Sequence, residues 1–341
     1  MTTAMRHQGS SNVVFYAVPA LKTILKEDVQ LKTSVTQMVE HSKVFKDHFQ
    51  GLNSQSEGPS SLKIASLGAA KHRFASLQRP LMRSVLRFDT LFLTAGFIYH
   101  SRKGNAKGKN ALAYLKVQST ERLLLKAMMA DAAQETMALL RFGDENVVDI
   151  SLLPREVNCW HSRCSRLFDN EECRSVGFTQ FVIESLGKPR VAPVTGQTIG
   201  PVDEQVFQSC LKHLREWLAV AREICRAKFP NFRLLAAFQV FDIGIANPLG
   251  HSGNSSRTAF VEVKKRFKEY VEILGKFFAI DAKTLQEELD IIKPMAVEEM
   301  TDNGCSCQEA WRGVLKRRLK TREALHCVAG VHGFGCFNYS C

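Results

Sequence analysis

The chain has 341 residues, 45% hydrophobic and 23% charged, enough for one large or two ordinary domains whose core needs no disulfides. Lysine and arginine outnumber aspartate and glutamate by 46 to 34, a formal +12, so polyanions are the expected partners: nucleic acid first, an acidic protein or anionic membrane second. No run approaches the roughly 18 apolar residues of a membrane span, no secretory signal is legible, and the ten scattered cysteines read as reduced thiols of the cytosol or nucleus.

Helical periodicity dominates in chain order. Leu25, Leu31, Val35, Met38, Phe45 and Phe49 recur at three-and-four spacing and predict a first amphipathic helix. Gln50 to Ser61 reads as a loop. Ala69 to about Tyr99 predicts one long helix. Its apolar stripe is Phe74, Leu77, Leu81, Val85, Phe88 and Phe92, and its outer face is almost purely cationic. "SRKGNAKGKN", with two glycines and four basic residues, breaks it as an exposed loop. Ala111 to Glu145, rich in Ala, Leu, Met and Glu, predicts the next long helix, with Gly143 suited to its C-terminal cap.

Asp144 to Pro201 holds four prolines and reads as irregular, with short helices around Pro154 to Phe168 and Thr179 to Leu186. Val206, Cys210, Leu214, Trp217, Ala221 and Ile224 mark a helix that stops before Pro230. Asn231 to Phe241 reads as a further short helix or a strand, and Asp242 to Ser256 as a loop. Phe260 to Phe278 and Lys283 to Met300 are predicted helices, the second with Asp281 as N-cap. Ser306 and Glu309 form a capping box opening a helix through Trp311, Leu315 and Leu319. No internal repeat and no alternating strand set is visible. The expected fold is mostly α, divided as residues 1–60 (arm and first helix), 61–300 (helical domain) and 301–341 (basic helix and Cys/Gly-rich tail).

Several constellations carry candidate chemistry. Lys71 and Arg73, followed by Arg79, Arg83 and Arg87 at intervals of four, make a cationic helix face suited to phosphates, or simply a solvated surface. Lys316, Arg317 and Arg318 belong to a second basic amphipathic stretch suited to nucleic acid or nuclear targeting. Asp131 and Glu135 share a helix face and can hold a divalent cation or pair with Lys126 and Arg141. Cys159, His161, Cys164 and Cys173 have zinc-ligand chemistry without the spacing of a standard zinc site. Glu287, Glu288, Glu298 and Glu299 form an acidic helix face. Phosphate-cradling, dinucleotide and nucleophile-elbow motifs are absent. The expectation is therefore no catalytic residue, no metal and no cofactor.

"HSKVFKDHF", a loop, and then "KHRFASLQRPLMRSVLRFDTL" resemble the middle of hAT-superfamily transposases and their domesticated relatives. Lys71 to Ser76 stand where that family has a T-R-W-x-S segment, with Phe74 in place of the tryptophan. "FPNFRLLAAFQVFD" is similar to the end of the helical domain inserted into the family's RNase H-like fold, and "AWRGVLKRRL" stands near the approach to its dimerisation region. The resemblance covers roughly residues 30 to 320. It implies a helical insertion domain with at most a remnant of an RNase H-like sheet. It also implies DNA as the polyanion, with the basic residues flanking the DNA channel. The family cleaves strands with three metal-binding carboxylates. Two of these lie on strands upstream of the R-W segment, and the first 60 residues show no such strands. Glu288 and Glu298 are both candidates for the third. The expectation is a nucleic-acid-binding, catalytically incomplete protein of nucleus or cytoplasm. The alternative is a helical protein-interaction scaffold.

Overall fold

The computed structural model describes residues 14–55, 64, 66–68, 78–143, 149–244, 254–320, 328 and 331. The fold is mostly α, and the described residues contain one two-stranded sheet. The chain divides into two compact units. The larger comprises Thr3–Ala138 and Ser162–Glu223; the smaller comprises Met1–Thr2, Leu139–His161 and Ile224–Cys341.

The larger unit begins with α1 (Pro19–Ile24), a π-helical segment (Leu25–Gln30), α2 (Val35–His41) and α3 (Lys43–Gln55). The single helix predicted through Leu25 and Phe49 is therefore broken. Ser34 makes the first break, its hydroxyl accepting the Gln37 N–H at 3.3 Å, and at Ser42 the backbone turns extended at φ −108°, ψ 114°. The loop expected from Gln50 instead stays helical to Gln55, and residues 56–61 lie outside the described set.

Within the predicted helix from Ala69, residues 69–77 also lie outside that set. The rest forms two helices, α4 (Gln78–Leu86) and α5 (Phe88–Ser101), separated at Arg87, whose backbone leaves the helical region at φ −124°, ψ 29°. A short turn then leads to α6 (Ala106–Val117). Asn105 caps it by accepting the N–H groups of Lys107 and Gly108 at 3.0 and 3.1 Å, so the expected loop ends five residues early. The predicted helix from Ala111 is likewise split, into α6 and α7 (Thr120–Gly143). Ser119 makes this second N-terminus, its hydroxyl accepting the Arg122 N–H at 3.0 Å.

Helix α7 is buried on almost every face, with Leu124, Ala127, Met128 and Met129 fully inaccessible, which marks it as the axis of the larger unit. Helices α8 (Leu153–Phe168), α9 (Gly177–Ser185) and α10 (Glu204–Lys228) fall where the periodicity predicts. A short antiparallel hairpin, β1 (Arg190–Val191) with β2 (Thr198–Ile199), separates α9 from α10. Trp217 of α10 stacks on Phe15 and meets Phe168 edge to face, with centroids at 5.4 and 6.2 Å.

In the smaller unit, α11 (Phe232–Ala237) ends in a 3₁₀ turn (Phe238–Phe241), so the predicted helix and not the strand is formed. Helix α12 (Asn254–Phe278) starts inside the expected loop, while α13 (Ala282–Asn303) and α14 (Cys307–Lys320) match their predicted caps. Asp281 accepts the Thr284 N–H at 2.8 Å. Ser306 and Glu309 exchange hydrogen bonds at 3.3 and 2.9 Å as a capping box. The core gathers Phe238, Phe241, Tyr270, Leu274, Leu289 and Trp311. The carbonyls left open at the end of the 3₁₀ turn are satisfied by side chains: Val240 by Lys293 at 2.9 Å, and Phe241 by the Trp311 indole at 2.7 Å and the Cys307 thiol at 3.4 Å.

Candidate nucleic-acid interface

The structure gives the predicted cations different roles. Lys71 and Arg73 lie outside the described residues. Arg79 is exposed on α4. Arg83, one turn on, turns inward: its guanidinium donates to the Ser66 carbonyl at 2.8 Å. Arg87 is half-buried at the break between α4 and α5. The even spacing of these three arginines therefore does not produce one solvent-facing row. In the smaller unit Lys316 is exposed, Arg317 pairs with Glu299, and Arg318 is half-buried against the Met295 sulfur at 3.0 Å.

A denser group of projecting cations lies in the turn read as a loop breaker. Arg102 and Lys103 follow the end of α5, and Lys107 and Lys109 stand in the first turn of α6; all four are exposed. Gly108 makes this compact arrangement possible, because a Cβ there would sit 2.1 Å from the Arg102 carbonyl oxygen. The first turn of α6 contains no acidic residue. Two lysines beside a helix N-terminus oppose the macrodipole, and four neighbouring cations repel one another. An anion bound here relieves both strains.

Charge segregation along the chain was the legible signal for this surface. Between Glu57 and Glu121 the only carboxylate is Asp89. Six lysines and arginines precede it (Lys63, Lys71, Arg73, Arg79, Arg83, Arg87) and five follow (Arg102, Lys103, Lys107, Lys109, Lys116). Asp89 is itself taken by Arg190 at 3.2 Å. The later arginines of the larger unit behave differently. Arg163 pairs with Glu135, Arg166 with Glu172, Arg174 with Glu204 and Arg222 with Asp169, at 2.6 to 3.0 Å.

The candidate acidic and thiol sites are engaged otherwise. Asp131 is buried and caps α9 from a distance, accepting the N–H groups of Phe178 and Thr179 at 2.8 and 3.0 Å and the Thr179 hydroxyl at 2.6 Å. Burial pushes its carboxyl up to about 6 despite these bonds. Lys126 pairs with neither Asp131 nor Glu135. It meets Asp28 of the π-helical segment in a fully buried ion pair that Arg122 joins at 2.8 Å. Burial would raise the Asp28 carboxyl, but Lys126 and Arg122 together outweigh it and hold it below its ordinary value. Glu287 pairs with Lys283 at 3.7 Å, Glu288 is buried and accepts the Val328 N–H at 2.8 Å, and Glu298 is exposed. Cys164 and Cys173 are buried, which raises both thiols to about 12. Among the described residues no group of three or more His, Cys, Asp or Glu side chains is placed to hold a metal ion, and no helix is long and apolar enough to cross a membrane. No protein-family model matches the chain, and no curated protein or solved structure does.

Proposed function

We propose that this chain binds nucleic acid through the sugar-phosphate backbone, with no strand-cleaving chemistry of its own. The exposed cluster Arg102, Lys103, Lys107 and Lys109, which has no ion pair among the described residues and lies in the carboxylate-poor stretch between Glu57 and Glu121, carries this reading. Such a surface tracks phosphates and carries no base specificity. Descent from an hAT-type transposase agrees with DNA as the ligand, Arg79 and Lys316 being the exposed members of the two basic stretches first singled out. The absence of catalysis is proposed because Asp131 caps α9, Glu135 pairs with Arg163 and Glu288 holds the Val328 N–H, while the exposed Glu298 belongs to no group of three metal-ligating side chains among the described residues. The reading puts the protein in the nucleus or cytoplasm.

The test is fluorescence anisotropy of labelled duplex and single-stranded DNA across a salt series. Binding should fall with salt at a slope of roughly −0.9 per phosphate contacted on duplex. Replacing Arg102, Lys103, Lys107 and Lys109 by Glu should abolish binding near ~0.15 M salt. No binding at low salt, or a slope unchanged by the quadruple variant, overturns the reading.

A further inference from the structure

Helix α5 leaves part of its outer face uncovered. Leu93 and Phe97, one turn apart, are 55% and 49% exposed. The hairpin runs along one side: Arg190 pairs with Asp89, and Pro193 packs on Gly96 so closely that a Cβ there would lie 2.7 Å from the proline Cβ. Helix α3 flanks the other side, with the His48 ring 3.8 Å from that of Phe97. Between them runs an apolar strip floored by Leu93 and Phe97. The hairpin adds Val191 and Val194, which are 67% and 38% exposed.

Val194 holds φ at +75°, and the Thr195 N–H donates to the Pro193 carbonyl at 2.9 Å across it. That is a γ-turn with a β-branched residue in the left-handed region, a strained choice where Gly or Asn would sit more easily. The chain thus maintains an exposed valine at an unfavourable backbone position beside an exposed apolar strip. Strain of this kind concentrates at binding sites.

The surrounding charge selects the occupant. Asp89 is neutralised by Arg190 and the exposed Glu184 accepts from Gln180 at 2.7 Å, while Lys188, two residues before Arg190, and Arg102, just past the end of α5, are exposed. The exposed Asp47 of α3 adjoins His48 and so points about 100° away around that helix. Leu93, Val191 and Val194 suit aliphatic side chains, and the Phe97 ring already has the His48 ring against it. We infer that this strip is the docking site for an amphipathic helix of a partner protein, presenting leucine-type side chains one turn apart and acidic residues on its flanks. The inference shares Arg102 with the nucleic-acid reading but rests on Leu93 and Phe97, which that reading does not use.

It is tested with two fluorescein-labelled synthetic helical peptides sharing the same leucine stripe, one flanked by Glu and one by Lys, titrated with the full chain. The Glu peptide should bind saturably and the Lys peptide at least about tenfold more weakly. Leu93→Glu and Phe97→Glu should each weaken the Glu peptide about tenfold, with circular dichroism unchanged because both side chains face solvent. Failure of both peptides to bind, equal binding of both, or binding unaffected by either substitution overturns the inference. So does displacement by duplex DNA without sensitivity to Leu93→Glu.

Discussion

Ala279 closes α12 in the left-handed region at φ +55°, where the Ile280 N–H reaches back to the Gly275 carbonyl at 2.8 Å in a Schellman-type cap. An alanine there carries a Cβ clash that glycine lacks. Ala279→Gly should therefore stabilise the smaller unit by about 1 kcal/mol, read as a higher urea midpoint at unchanged slope. Asp131 makes a different prediction. Its folded-state carboxyl titrates near 6 against an ordinary 3.8, so the folded state holds the proton more tightly than the unfolded one. The stability linked to it is greatest at about pH 4 and below, and declines as pH rises through about 6. Asp131→Asn should remove that decline, gaining on the order of 3 kcal/mol relative to the parent between these two pH values. Parallel stability curves for the two proteins would contradict this account. Asp28 acts in the opposite sense, its contribution being lost as pH falls below its ordinary range, so the two windows separate.

At the scale of elements, the π-helical segment and α7 are joined by the buried Asp28–Lys126 pair, with Arg122 reaching outward to Glu27 at 2.9 Å. A buried pair resists the loss of one partner far more than the loss of both. Lys126→Met should lower stability by about 3–5 kcal/mol in urea unfolding, and adding Asp28→Leu should recover part of that loss. Helix ends show how far local chemistry could be read. Asp281, Ser306 and Glu309 announced α13 and α14 correctly because capping uses residues three apart in sequence. Ser119 carries the same kind of cap but has Arg122, not Glu or Gln, three residues on, so it lacks the capping-box pattern and the division between α6 and α7 was obscured. The break at Arg87 has no glycine, proline or capping side chain to mark it.

For the whole molecule, the formal +12 is unevenly spread. Arg166, Arg174 and Arg222 lie in ion pairs, and Arg174 also covers the Phe207 ring at 3.7 Å. In the carboxylate-poor stretch Arg102, Lys103, Lys107 and Lys109 stay exposed. As a control within the nucleic-acid experiment, Arg174→Glu should change affinity for DNA by no more than about twofold, since its charge is already spent on Glu204.

What the sequence determined by itself was the helical class, the positions of most helices and the excess of positive charge, because each follows from composition or from spacing within one or two turns. Which charges face outward was settled only by tertiary structure. Arg79 and Arg83 look alike in sequence, yet one is exposed and the other is tied to the Ser66 carbonyl seventeen residues away. Asp131 and Glu135 share a helix face, yet one caps a helix forty-eight residues on while the other binds an arginine. A side chain's role depends on the partner packing brings to it, and a local pattern carries no information about a partner so distant along the chain.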